Sequence, residues 1–146
     1  MIDSKIKKGL KLSNYKFEQK PLVVGGLAME YYGLRKTVHD YDYVVSKKDW
    51  NKLKKIHPEK VLLLGGKNGD EIIYMKDKKV DLISTLMLHN YNDLVKGAID
   101  KDKYKIISLE NLLFLKTIES VFSGAKKSKR DQKLIVEDII KKKSKK

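Results

Sequence analysis

The sequence predicts an α+β domain, a mixed β-sheet flanked by helices with the C-terminal helices packed on it. Three observations lead there. Short apolar runs bounded by Gly, Pro or Asp recur through the first two thirds of the chain, as strands do. Helix-spaced apolar residues separate several of them. From Ser108 onward the pattern is helical alone.

The elements follow in order. Residues 4–16 carry Ile6, Leu10 and Leu12 among lysines and predict a short helix that Gly9 weakens. Pro21–Gly25 is the first firm strand, and residues 27–33 a helix that stops at Gly33. Asp40–Val45, rich in Tyr and Val, predicts the second strand. Ser46 or Asp49 then caps a helix to about Ile56. Val61–Leu64, Glu71–Met75 and Lys79–Ser84 predict three more strands, the last two joined by a turn at Lys76, Asp77 and Lys78. Residues 90–97 predict a short helix and Tyr104–Ile107 a short strand or extended segment. Ser108 caps the clearest helix, with Leu109, Leu112, Leu113 and Lys116 at helical spacing and Gly124 as its stop. A last helix covers about Ser128–Lys141.

With 146 residues, the chain has the length of one domain, so we expect residues 1–146 to form a single unit. Residues 1–20 form a basic N-terminal segment and 141–146 a basic, disordered tail. Thirty-three Lys and Arg against nineteen Asp and Glu give a net charge of +14. Only Arg35 and Arg130 are arginines, so the excess is lysine, which suits non-specific attraction to phosphate. Residues 124–146 hold ten basic and three acidic groups, half of the net charge. That surface suits RNA, DNA or nucleotides, and it equally suits simple solubility. The lack of cysteine excludes disulfides, Cys-ligated zinc and a Cys nucleophile. Neither a secretory signal nor a membrane-spanning apolar run is legible, which reads as a soluble, intracellular protein.

The chemistry concentrates in residues 22–45, LVVGGLAMEYYGLRKTVHDYDYVV. Gly25 and Gly26 have no Cβ, so a phosphate can approach their backbone, and they stand at a helix start whose N–H groups favour anions. Asp40 and Asp42 lie two apart on a strand, so both carboxylates share a face. Carboxylates that close repel unless a cation lies between them, and Mg²⁺ prefers such oxygen ligands. Asp81 lies in an apolar run, where an aspartate is unexpected without a partner or a task. A third carboxylate there completes a metal site and can assist an attacking hydroxyl.

Gly25 and Gly26, then Asp40-x-Asp42, then Asp81 on a later strand resemble the polymerase-β-like nucleotidyltransferase superfamily. The resemblance is closest to its small prokaryotic and viral members, including abortive-infection and toxin–antitoxin enzymes. Arg35-Lys36-Thr37 is similar to an Arg-x-Thr that precedes Asp-x-Asp in many members. The segment LENLLFLK, ending in Lys116, resembles a helix whose lysine lies near the triphosphate. Lys129-Arg130-Asp131 resembles the start of the closing helix. Together these cover roughly residues 21–140.

The resemblance implies a nucleotidyltransferase-like fold and a two-metal enzyme that transfers a nucleoside monophosphate from an NTP, ATP included, to an acceptor. Asp40, Asp42 and Asp81 hold Mg²⁺ or Mn²⁺ in that reading. Gly25, Gly26, Arg35, Thr37 and Lys116 bind the triphosphate. Gly26 stands where many members have serine, which leaves phosphate binding to backbone N–H groups. A separate substrate domain is missing, so acceptor recognition falls to RNA contact by the basic surface, a protein partner or a homodimer. The alternative is a non-catalytic module of the same fold that binds nucleic acid or a protein.

Plainer readings stand beside these. Asp40 and Asp42 can mark a solvated strand entrance, and Asp81 an edge-strand charge. Arg35 can pair with Asp40 instead of phosphate, Thr37 can be a turn residue, and Lys116 can snorkel at the core edge. Asp131 reads as a helix-start residue. His39, His57 and His89 have no metal spacing. Tyr31, Tyr32, Tyr41 and Tyr43 read as core. Gly65, Gly66 and Gly69 mimic a phosphate loop but lack the Lys-Ser/Thr that would follow, so they read as a connection.

Overall fold

The structure, a computed structural model, describes residues 1–37, 40–64, 70–75 and 79–145. The sheet is built from β1 (Leu22–Val24), β2 (Tyr41–Val44), β3 (Val61–Leu64), β4 (Asp70–Met75), β5 (Val80–Leu86), β6 (His89–Asn90), β7 (Ile99–Asp100) and β8 (Lys105–Ile106). The helices are α1 (Ile2–Lys11), α2 (Gly25–Tyr31), α3 (Lys47–Ile56), α4 (Tyr91–Leu94), α5 (Leu109–Ser123) and α6 (Lys126–Ser144).

Strand order across the sheet is β3-β4-β5-β2-β1-β8-β7, with β6 paired to β5. β1 runs antiparallel to β2 and parallel to β8, and β2 runs parallel to β5, so the sheet is mixed. All three residues of central β1 are buried. That is why its sequence is continuously apolar instead of alternating. One core joins Leu22, Val23, Val44, Leu82 and Ile83 of the sheet to Ile6 of α1, Leu27 of α2, Trp50 of α3 and Leu112 of α5.

Several expectations are refined. Helix α2 begins at Gly25, two residues earlier than the pattern predicts, because the glycines themselves form its first turn. Ser46 is the cap of α3, its hydroxyl accepting from the Asp49 N–H at 3.1 Å. Asp49 is fully buried and holds the preceding segment instead, accepting from the Tyr15 hydroxyl at 2.7 Å and from the N–H groups of Glu18 and Gln19. Ser108 caps α5 and Gly124 ends it at φ +66°, both as read from the sequence. The expected disordered tail is helical as far as Ser144. Asp131 is therefore inside α6 and not at its start. The turn at Lys76–Lys78, His39, and Gly65, Gly66 and Gly69 lie outside the described residues. No helix among the described residues is long and apolar enough to cross a membrane.

Gly9 has a packing role that helix propensity hides. A Cβ there would overlap the Tyr43 hydroxyl, which itself donates to the Ile6 carbonyl at 2.8 Å. The glycine lets α1 lie directly on β2. Gly9→Ala is expected to destabilise the protein by about 1–3 kcal/mol despite its better helix propensity, as urea denaturation will read.

Candidate active site

A cavity of about 200 Å³ opens where β1 passes into α2. Val24, Gly25 and Gly26 form one wall, Asp40 and Asp42 the next, and Lys116 and Glu119 of α5 face them. Arg35 and Thr37 close it from the loop after α2, and Lys127 and Ser128 from the start of α6. Seven residues singled out in the sequence thus meet in one place: Gly25, Gly26, Arg35, Thr37, Asp40, Asp42 and Lys116.

Strand register supplies the eighth. β2 and β5 are parallel neighbours, and Asp42 stands directly opposite Asp81. The two carboxyl groups interact directly, with Asp40 adding its charge to both. Asp42 Oδ1 and Asp81 Oδ1 are buried and have no hydrogen-bond partner among the described residues. Burial raises the Asp42 carboxyl well above the usual range, and the Asp81 and Asp40 charges raise it further, while Lys116 opposes them. Burial, then Asp40, pushes Asp81 up to about 6, while its hydrogen bond with Asp42 opposes them. Without a cation the pair holds a proton close to neutral pH, as carboxylates forced together must.

Paired carboxylates with two partnerless oxygens fit a hard divalent cation such as Mg²⁺, which takes oxygen ligands. Among the described residues no three His, Cys, Asp or Glu side chains are drawn together into a finished metal cluster. The close unit is the Asp42–Asp81 pair, with Asp40 at the cavity wall beside it.

Gly25 sits at φ +59°, and a Cβ there would come within 2.9 Å of Asp42 Oδ2. The glycine therefore serves both the backbone turn and the carboxylate. Because α2 spans only seven residues, close approach to the bare backbone matters more here than a helix dipole. Gly25→Ala is expected to cost about 1–3 kcal/mol, from left-handed strain and crowding of Asp42. Gly33, at φ +73° with open space around its Cβ position, is the control. Gly33→Ala should carry the strain alone and leave any Asp42-dependent function intact.

Two of the three cations lining the cavity, Arg35 and Lys116, are tied down by one carboxylate. Arg35 donates through Nε to Asp131 Oδ1 at 2.7 Å and through a terminal nitrogen to Oδ2 at 2.8 Å. Lys116 Nζ lies 3.1 Å from the same Oδ2 and 3.7 Å from Glu119. Arg35 thus pairs with Asp131 rather than with Asp40. Burial would raise Asp131, but the bonds from Arg35 and the Lys116 charge outweigh it and hold the carboxyl below its usual range. Nothing local in the sequence marks this contact, since Arg35 and Asp131 are 96 residues apart. Thr37 is fixed differently. Its N–H donates to Glu30 Oε1 at 2.7 Å, and its hydroxyl oxygen is buried with no hydrogen-bond partner among the described residues. Burial raises Glu30, yet the Thr37 N–H and Lys5 bring it down to about 2.

No protein-family model and no curated protein matches the chain. Among solved structures, the chain is similar to a crystal structure described as a "putative nucleotidyltransferase" from Thermotoga maritima. The TM-score is 0.52 at 20% identity, over 84% of this chain and 87% of the other. That likeness, with the mixed sheet and its covering helices, defines a nucleotidyltransferase-like fold.

Proposed function

We propose that this chain is a metal-dependent nucleotidyltransferase, of the compact kind that the abortive-infection and toxin–antitoxin enzymes represent. It transfers a nucleoside monophosphate from an NTP to an acceptor, and the +14 charge favours RNA as that acceptor. The observation that carries the reading is the Asp42–Asp81 pair. Asp42 lines a cavity with the Gly25 and Gly26 backbone, Lys116 and Arg35, Asp81 stands opposite it in the β2–β5 register, and each carboxyl keeps one buried oxygen with no partner among the described residues.

Asp42 and Asp81 would hold Mg²⁺ or Mn²⁺, with Asp40 beside them. When bound, the cation neutralises triphosphate charge and orients the α-phosphate. The chain's own groups do the rest. Gly25 and Gly26 let the triphosphate lie against bare backbone. Lys116, and Arg35 where its guanidinium is not committed to Asp131, offset its charge, and Thr37 lines the same cavity. Asp81 can also assist in taking the proton from an acceptor hydroxyl. The acceptor oxygen then bonds to the α-phosphorus, the bond to the bridging oxygen breaks, and pyrophosphate leaves.

The test is incubation with each α-³²P-labelled NTP, Mg²⁺ or Mn²⁺, and total RNA or protein. Label should pass to one acceptor class in the wild type and not in the Asp40→Ala/Asp42→Ala double variant. If no NTP binds and no label moves with any acceptor, the non-catalytic binding module is the better reading.

A further inference from the structure

A second concavity, about 650 Å³, lies between the C-terminal half of α1, the segment after it and the β7–β8 turn. It shares no lining residue with the catalytic cavity. Lys20 and Lys103 place it at the N-terminal ends of β1 and β8, whereas Gly25 places the cavity at the C-terminal end of β1. Its size is that of a ligand site, which typically spans about 300–1,000 Å³.

The floor is apolar and aromatic. Leu10 lies there with Tyr15 and Phe17, whose rings meet edge to face at 5.0 Å. The floor is also held in place. Asp49 accepts from the Tyr15 hydroxyl and from the Glu18 and Gln19 N–H groups, so the rings need no ordering on binding.

The rim is cationic. Lys11, Lys16 and Lys103 are exposed and have no ion-pair partner among the described residues. Lys7 pairs with Asp3 and Lys20 with Asp100, so both are already neutralised. Of the two acids on the rim, Glu18 is bound by Lys48 and Lys52, which leaves Asp102 to oppose three free lysines.

Lysines strung along an open groove, above aromatic faces, match a polyanion that carries flat rings. A single-stranded polynucleotide has that chemistry: phosphates run along the lysines and bases stack on the rings. An acidic peptide would use the lysines and leave the rings idle. We infer that this groove binds single-stranded nucleic acid, as a site separate from the catalytic cavity.

The experiment is fluorescence polarisation of a labelled 12-nucleotide RNA, and of the matching DNA, near 0.1 M salt. Lys11→Glu/Lys16→Glu/Lys103→Glu should weaken binding about 30-fold or more. Lys129→Glu/Lys133→Glu/Lys141→Glu, the same charge change on exposed positions of α6, should weaken it less than about 5-fold. Phe17→Leu keeps the floor apolar and removes stacking, and should cost about 5-fold or more. Asp42→Asn should bind like the wild type, so this groove and the catalytic reading fail independently. Equal losses in the two triple variants would reduce the effect to overall charge and overturn the proposal. So would competition by poly-glutamate as strong as that by unlabelled RNA, or unchanged binding in Phe17→Leu.

Discussion

Asp42→Asn is expected to make the metal-free protein more stable while sharply reducing the proposed nucleotidyl transfer. In the unfolded chain both carboxyls titrate near 3.9. In the folded protein both are raised, Asp81 to about 6. The folded state therefore holds more protons above that unfolded value. The stability this pair contributes is complete below about pH 4 and is lost as pH rises through the folded values. Asparagine is neutral throughout and removes the repulsion. The gain grows as pH rises above the unfolded value, because burial and the neighbouring charges raise Asp42 itself. Thermal melts in chelator should show Asp42→Asn above the wild type near pH 7.5 and closer to it near pH 5. Added Mg²⁺ should raise the wild type and leave the variant unmoved. Transfer should fall by about 100–1,000-fold, the scale of a lost charge-stabilising group. A variant both less stable and fully active would show that Asp42 is a structural residue.

The second large effect falls on Asp131. Its carboxylate is almost wholly buried and serves Arg35 and Lys116 together. In α6, Ser128, Asp131 and Ile135 are buried and Leu134 and Ile139 pack partly buried on the core, so polar contacts reinforce an apolar seam. Ser128 donates to Glu119 at 2.9 Å, and Gln132 to Thr117 at 2.9 Å. Asp131→Asn takes the carboxylate from Arg35, leaves Lys116 only its longer contact with Glu119, and should cost about 3–5 kcal/mol. The sign of the pH dependence is opposite to that of Asp42. Asp131 is held below its usual range, so its contribution is present above about pH 4 and lost as pH falls through the folded value. Urea denaturation near pH 7 and below about pH 3 should show the gap between wild type and Asp131→Asn shrinking in acid. Transfer should fall too, because Arg35 and Lys116 both face the cavity.

How much of this was legible depends on the range of the interaction. Gly25, Gly26, Asp40 and Asp42 lie within 18 residues of one another and announce themselves by spacing on a strand–turn–helix–strand unit. Asp81 is legible because it interrupts an apolar run, although only the β2–β5 register reveals that Asp42 is its partner. Ser108 and Gly124 are local caps and were correctly placed. Asp131 was not legible: its partners are on α5 and in the loop after α2, and its neighbours in sequence are lysine, arginine and glutamine. Asp49 was hidden for the same reason, since a capping position and a buried anchor look alike until Tyr15 arrives 34 residues away. Two-residue strands such as β6 and β7 carry too few side chains for a period of two to appear.

The central claim is that Asp42 and Asp81 share a proton that a nucleotide-bound cation displaces. It is tested most directly by calorimetric titration of Mn²⁺ with a non-hydrolysable NTP analogue, near pH 6.5, in buffers of different protonation enthalpy. The wild type should bind and release about one proton, and Asp42→Asn should lose both the binding and the release. Binding of equal strength in the variant, or binding by the wild type with no proton released, would contradict the account.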